Sequence, residues 1–454
     1  MKGKILIKGG AAGYLIPIFN QRVAQAFQPV PAQAKACGFQ YSRLNAARYE
    51  VLHADFTPTP TLPPQGGGRK RWANPLFNYR LPVFIKRLEA IPFLFLVILL
   101  VVLAPRLATA GPEFEIPKPG RVFQFPRDHG AHPRYKTEWW YYTGHLRAKD
   151  GESFGYQLTF FRAGLKKPDS RARSAWALHT VYFAHLALSD ATRKNFIFRE
   201  KANRGALGLA GTAEGNLKVW IDAWSAEVEG NAHHLQAQDG DLGMDLILTP
   251  IKPPVLHGDA GFSRKAVQGE AASYYYSLTR METRGRILLG ERTLEVTGSS
   301  WMDHEFFTHT LAPEQAGWDW FALQLEDGWE VMLYLLRHQD GKIDPASSGT
   351  LIDPEGQGRH LKLAEFKLTP TNTWRSPPSQ ALYPAAWKLE IPSAGLSLTL
   401  IPTLADQEIR AGEAGGVTYW EGQIKVQGQR QQQPVTGQGY AELTGYAGKL
   451  GGMF

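Results

Sequence analysis

Val296-Thr297-Gly298-Ser299-Ser300-Trp301-Met302-Asp303 has an echo further along the chain, Val435-Thr436-Gly437-Gln438-Gly439-Tyr440-Ala441-Glu442. A second pair of stretches repeats in the same order. Glu138-Trp139-Trp140-Tyr141-Tyr142 answers to Gly317-Trp318-Asp319-Trp320-Phe321, and each is followed by an Asp-Gly turn and an apolar run closed by Arg162 or Arg337. Tyr275-Tyr276 likewise answers to Tyr419-Trp420. Each unit reads as an aromatic strand, a hairpin turn and a second strand. Two copies indicate a duplicated domain rather than a solenoid, with the boundary expected between residues 306 and 315.

Outward from these repeats, everything after Gly111 has strand character. Phe154, Tyr156, Leu158 and Phe160 alternate with their neighbours, as do Trp329, Val331, Leu333 and Leu335, and Gly, Pro and Asp-Gly signals separate the runs. No sustained helical period occurs; short helices are expected only near Asp190–Lys194 and after Ser347. So many antiparallel strands need closure or a second sheet to dispose of their edges. The expected fold is all-β, two tandem antiparallel β-barrels with few short helices, over residues 111–310 and 311–454. A barrel of about eight strands holds packed side chains or one small apolar ligand.

The 454 residues carry a formal charge of +8, but residues 1–110 hold 14 Lys/Arg against 3 Asp/Glu, leaving 36 against 39 for the rest. The basic surplus belongs to the leader, so the folded part lacks the clustered charge that nucleic-acid binding needs. The single cysteine, Cys37, is in the leader too, which excludes disulfides from the barrels. Residues 1–82 have no period and include Thr57-Pro58-Thr59-Pro60 and a Gly66-Gly67-Gly68 run, the composition of a disordered segment or of one that precedes the true translation start near Leu81 or Val83. Residues 83–110 read as a signal peptide: Lys86-Arg87, an apolar run from Ala90 to Ala104, and Ala108-Thr109-Ala110 as cleavage site. The expectation is a periplasmic or secreted protein, with an uncleaved signal anchor as the alternative that ties it to a membrane.

Asp303 lies among Trp301, Phe306 and Phe307. In a strand Trp301, Asp303 and Glu305 share one face, and Met302, His304 and Phe306 the other. A carboxyl desolvated by aromatic neighbours keeps its proton near neutrality and serves as a general acid, while ring faces stabilise a cation by about 0.5–2 kcal/mol each. His185 is a candidate to hold a water or to bond the acid. In the aromatic clusters Trp140 and Tyr142, with Tyr274 and Tyr276 in the later run, are the expected ligand contacts together with Trp301; Trp139 and Tyr141 form the competing face. Against the catalytic reading stands the echo at Glu442, which suits a carboxyl that closes a strand by pairing with Arg162 or Arg337. The histidines His129, His132, His233, His234, His304 and His309 match no recognised metal spacing. Nucleotide and serine-hydrolase signatures are absent; no cofactor and no metal is expected.

Thr137-Glu138-Trp139-Trp140-Tyr141-Tyr142-Thr143-Gly144-His145-Leu146 resembles the AttH and carotenoid 1,2-hydratase (hydroxyneurosporene synthase) family of tandem lipocalin-like proteins. The similarity continues through Gly155–Arg162, Tyr182–His185, Trp301–Glu305, Gly317–Phe321 and Tyr419–Gly422, covering roughly residues 115–447. The resemblance implies two packed lipocalin-like barrels, export, and a hydrophobic small-molecule ligand such as a polyene, lipid or terpenoid. For the hydratases it implies cofactor-free addition of water to a terminal C=C bond, with Asp303 in the position of the proton donor. Tyr274-Tyr275-Tyr276 and Trp301 depart from the hydratase pattern and set this chain nearer the exported AttH branch, some members of which are encoded beside ABC transporter components. Three functions follow as expectations: a hydratase or isomerase-like catalyst, a non-catalytic carrier of a lipid or hydrophobic metabolite serving a transporter, and, third, an interaction module with both barrels filled by side chains. A carboxyl facing an open apolar cavity marks the first, the same carboxyl against an arginine the second.

Overall fold

The structure, a computed structural model, describes residues 114–165, 178–309, 311–412 and 416–448. The leader and the signal-type segment, residues 1–82 and 83–110, lie outside the described residues. Two antiparallel sheets account for nearly all that is described, the first spanning Thr137 to His309 and the second Gln315 to Leu443.

In the first sheet, of 13 strands, Thr137–Ala148 lies between Ser153–Gly164 and Arg292–His309, and the long hairpin Ala272–Leu289 with Arg292–His309 carries the sheet on to Leu242–Pro250. The strand Lys218–Ile221 returns beside Thr180–Asp190 and Asn195–Arg204, so the sheet curls almost shut. The second sheet, of 10 strands, repeats the arrangement: Gln315–Leu325 lies between Glu330–His338 and Gln433–Leu443, and Thr418–Arg430 follows. It closes only as a half-barrel. Both are lipocalin-like, and the duplication is preserved to the residue: Tyr141 pairs with Asp303 across one sheet, and Trp320 with Glu442 across the other.

The repeated Val-Thr-Gly explains itself here. A Cβ on Gly298 would come within 1.9 Å of the His145 carbonyl oxygen, and one on Gly437 within 2.4 Å of that of Gln324. The curl brings neighbouring backbones so close at both places that only glycine fits.

The barrel interiors are filled. Trp140, Tyr142, Tyr156, Leu158, Phe160 and Met302 pack inside the first, Phe321, Leu333, Trp387 and Trp420 inside the second. The central strands are buried on their other face as well. Tyr141 meets Trp320 edge-on at 5.2 Å between ring centroids, and the outer faces of the two sheets pack together in one compact unit. Apolar burial on both faces explains why Ser153–Gly164 and Glu330–His338 read as nearly continuous hydrophobic runs.

The helices expected near Asp190–Lys194 and after Ser347 do not form. Asp190 Oδ1 accepts from the backbone N–H of Thr192 at 3.0 Å and of Arg193 at 2.8 Å, which makes a tight hairpin turn instead, and Ser348–Ile352 is a strand. Among the described residues the helices are three single 3-10 turns at Arg127–His129, Leu363–Glu365 and Pro392–Ala394.

Candidate functional site

Between the two barrels lies a cleft enclosing about 830 Å³ counting its open mouth, lined from both sheets. Trp139, Tyr141, Trp318 and Trp320 form its aromatic walls, and Asp303, Glu305, Glu421 and Glu442 its acids. Strand pairing places them: Tyr141 opposite Asp303, Ser277 opposite Asp303 on its other side, Trp320 opposite Glu442, and Glu421 opposite Glu442. Directly opposed residues share a face. The cleft is therefore two equivalent half-sites, one per barrel, brought face to face.

Asp303 is buried, 4 % exposed, and every hydrogen bond it receives comes from a neutral group. Tyr275 Oη donates to Oδ2 at 2.6 Å, Trp301 Nε1 to Oδ1 at 2.6 Å, and the Ser277 hydroxyl also to Oδ1. Burial raises its pKa to about 7, against the opposing pull of these three donors. Behind them further hydrogen bonds cross the barrel junction. Trp320 Nε1 donates to Tyr275 Oη at 2.9 Å, and His257 bridges Ser277 Oγ at 2.6 Å and Thr350 Oγ1 at 2.8 Å. An indole N–H can only donate, so Oδ1 accepts in both protonation states and the acidic proton belongs on Oδ2; in the neutral acid the Tyr275 bond reverses, with Oδ2–H donating to the Tyr275 oxygen.

The neighbouring acids differ. Glu305 pairs with buried Lys265 at 2.8 Å, whose ammonium also lies 4.3 Å from the centroid of the Tyr334 ring. Glu421 accepts from the Tyr141 hydroxyl, and burial pushes its pKa well above the ordinary carboxylate range. Glu442 accepts from Trp318 Nε1 at 3.0 Å and is raised by burial to about 7. A carboxyl raised in the folded state costs nothing below its ordinary pKa near 4.5, where both states are neutral. Between about 4.5 and 7 only the unfolded chain ionises, so stability falls as pH rises. Glu442→Gln is accordingly expected to match wild type in urea unfolding at pH 4 and to exceed it by on the order of 2 kcal/mol at pH 8; an equal or lower stability at pH 8 would contradict this burial penalty.

Of the residues singled out in the sequence, Asp303 and His185 line the cleft and Trp301 bonds Asp303 from beside it. Trp140, Tyr142, Tyr274 and Tyr276 do not line it. Trp140, Tyr142 and Tyr276 point into the first barrel's core, and Tyr274 packs with Phe262 and Phe306. Their sequence neighbours Trp139, Tyr141 and Tyr275 take the cleft positions instead. The arginines expected to meet the acids also face elsewhere: Arg162 pairs with Glu138 at 3.0 Å and Arg337 with Asp319 at 2.9 Å. The sequence did not single out His257, Ser277, Gln157 or Lys265; Ser277 and Gln157 sit at strand parity with Asp303, whereas His257 and Lys265 follow the short strands Val255–Leu256 and Phe262–Arg264 and carry no strand signal.

Away from the cleft, His132, Glu138 and His304 bring potential ligand atoms within 4.8 Å of one another. Those atoms are committed to each other. Glu138 Oε1 takes His132 Nδ1 at 2.8 Å and His304 Nε2 at 2.9 Å, and Oε2 takes Arg162 Nε at 3.0 Å. Burial would lower the His132 pKa, but hydrogen bonds to Asp128 and Glu138 outweigh it and raise the pKa above the ordinary value. An imidazolium and a guanidinium thus supply the positive charge a metal would bring. This is a buried ion cluster that ties the Asp128–His132 segment to the strands.

A family model described as AttH-like matches residues 116–446. A crystal structure of a protein from Nitrosomonas europaea assigned as AttH shares 34% identity, with a TM-score of 0.67 over 73% of this chain and 99% of that one. Kievitone hydratase from Nectria haematococca superposes with a TM-score of 0.56 at 17% identity, over 72% of this chain and 93% of its own. Among curated proteins no sequence matches.

Proposed function

This chain belongs to the AttH-like family, and we propose that within it the protein is a cofactor-independent hydratase that binds an apolar unsaturated molecule between its barrels. The observation that carries this is Asp303: a carboxyl poised to be protonated near pH 7, held by neutral donors with no arginine against it, in an aromatic-walled cleft. A carrier has no use for an acid tuned in this way, whereas protonation of carbon requires one.

In the reaction Asp303 gives its proton to one alkene carbon, forming a C–H bond as the π bond breaks. The cation that results at the other carbon lies between ring faces of Trp139, Tyr141, Trp318 and Trp320. A water oxygen bonds to it, and the proton that this water sheds returns to the Asp303 carboxylate. Burial of Asp303 keeps its proton available near neutrality, and the Trp320–Tyr275 and His257–Ser277 bonds hold the acid in place.

The test begins with mass spectrometry of small molecules that copurify with the protein from its native host. Incubated with the protein in H2(18)O or in D2O, the ligand is expected to gain the mass of one water, with (18)O at the new hydroxyl and a single C–D bond beside it. A ligand recovered unchanged after prolonged incubation would overturn the enzyme reading in favour of a carrier.

A further inference from the structure

The cleft has a polar end that the proton donor does not use. There the Tyr419 hydroxyl lies 2.7 Å from His185 Nδ1. Gln157, on the strand beside that of His185, donates from Nε2 to Thr159 Oγ1 at 2.6 Å. Glu421, two residues beyond Tyr419 on the same strand face, takes the Tyr141 hydroxyl on Oε1. Three buried atoms of this group have no partner: His185 Nε2, Gln157 Oε1 and Glu421 Oε2. All three residues line the cleft.

A buried polar atom left unpaired weakens the fold by the full cost of its lost hydration, and folded proteins leave few of them. Here three of them belong to residues that line one cleft. Charge narrows what meets them. Burial holds His185 neutral down to about pH 3 and pushes Glu421 well above the ordinary carboxylate range, so this end favours a neutral partner over a carboxylate or an ammonium. The atoms combine acceptors with donors, and a hydroxyl is the small neutral group that satisfies both.

We propose that Gln157, His185 and Glu421 form a subsite for a hydroxyl group of the ligand, so that the substrate is an unsaturated alcohol or phenol rather than a pure hydrocarbon. This rests on the cleft being the ligand site. A hydrocarbon in the same place would strand all three atoms in an apolar contact; an alcohol pairs them and fixes which end of the molecule meets Asp303. The subsite thus sets the orientation of the double bond as well as the class of substrate.

The test compares two matched pairs of probes, farnesol with farnesene and 2-naphthol with naphthalene, by titration calorimetry on wild type, Gln157→Met, Glu421→Leu and Glu421→Gln. The quantity read is the ratio of alcohol to hydrocarbon affinity. It is expected to fall about tenfold in Gln157→Met and in Glu421→Leu and to persist in Glu421→Gln, which keeps a hydrogen-bonding group at the site. Melting curves identify any variant that fails to fold, in which case the other carries the comparison. An unchanged ratio in the folded variants overturns the hydroxyl subsite, leaving ordered water as the partner of these atoms, while the apolar cleft stands. If none of the four probes binds wild type, the cleft itself falls as the ligand site, and the subsite with it.

Discussion

Asp303→Asn is expected to lower turnover of the native ligand by between about a hundredfold and ten-thousandfold, the usual worth of a positioned general acid, while leaving ligand affinity within a few-fold of wild type. Asparagine keeps the shape, its oxygen still accepts from Trp301 and Ser277 while its amide N–H donates to the Tyr275 hydroxyl, and it has no acidic proton to give. Stability separates this outcome from simple damage. Because burial raises Asp303 to about 7, the folded wild type pays a penalty that grows as pH rises from about 4 to 7, and the amide removes it. The variant is therefore expected to melt at or above the wild-type temperature at pH 8. Dead but no less stable is the signature of a catalytic carboxyl; a lower melting temperature with turnover intact would make Asp303 architecture. The wild-type rate should itself decline as pH rises through about 7.

The largest loss of stability is expected at Glu138, well away from the chemistry. Glu138→Gln removes the charge that Arg162 and His132 share, in a cluster where Glu138 and the His304 beside it are 0 % exposed. Breaking a buried ion pair from one side costs about 3–5 kcal/mol, because the remaining charge is left uncompensated. Urea unfolding at pH 6 measures it. The sign with pH is also fixed: His132 is raised above its ordinary value near 6.5, so its contribution is complete below that value and is lost as pH rises through the folded pKa. The variant should accordingly be penalised most on the acid side of neutrality. A loss below about 1 kcal/mol would mean that the cluster is solvated and of little structural weight.

How far the sequence reaches is shown best by Tyr274-Tyr275-Tyr276. The duplicated stretches were enough for two tandem barrels, since strand alternation and turn signals act locally and the repeat supplies the pairing. The acid was legible as well, because its aromatic neighbours are adjacent in sequence. The ligand face was not. Counted back from the turn at Gly290, Leu289 pairs with Arg292 and Met281 with Ser300, and the same count puts Leu278 opposite Asp303, with Tyr276 and Tyr274 on that face. A bulge between Leu278 and Met281 shifts the register by one, so Ser277 is opposite Asp303 and Tyr275 joins it. One extra residue exchanges the faces of everything beyond it. At Trp139–Tyr142 there is no bulge to blame. Both faces of that strand are buried, one in the barrel and one against its twin, so alternation offers two apolar faces and no means of choosing.

The filled barrels and the cleft outside them have a consequence for how such a protein changes its chemistry. Along Arg292–His309 the odd positions 303 and 305 belong to the cleft, and the even positions 302, 304 and 306 to the barrel interior. Two texts are interleaved on one strand, one spelling the reaction and the other the fold, and each can be edited without rewriting the other. Diversity confined to cleft-facing positions on the central strands of both barrels samples new substrates on an intact core, which makes this junction a natural place for selection to exchange one ligand for another.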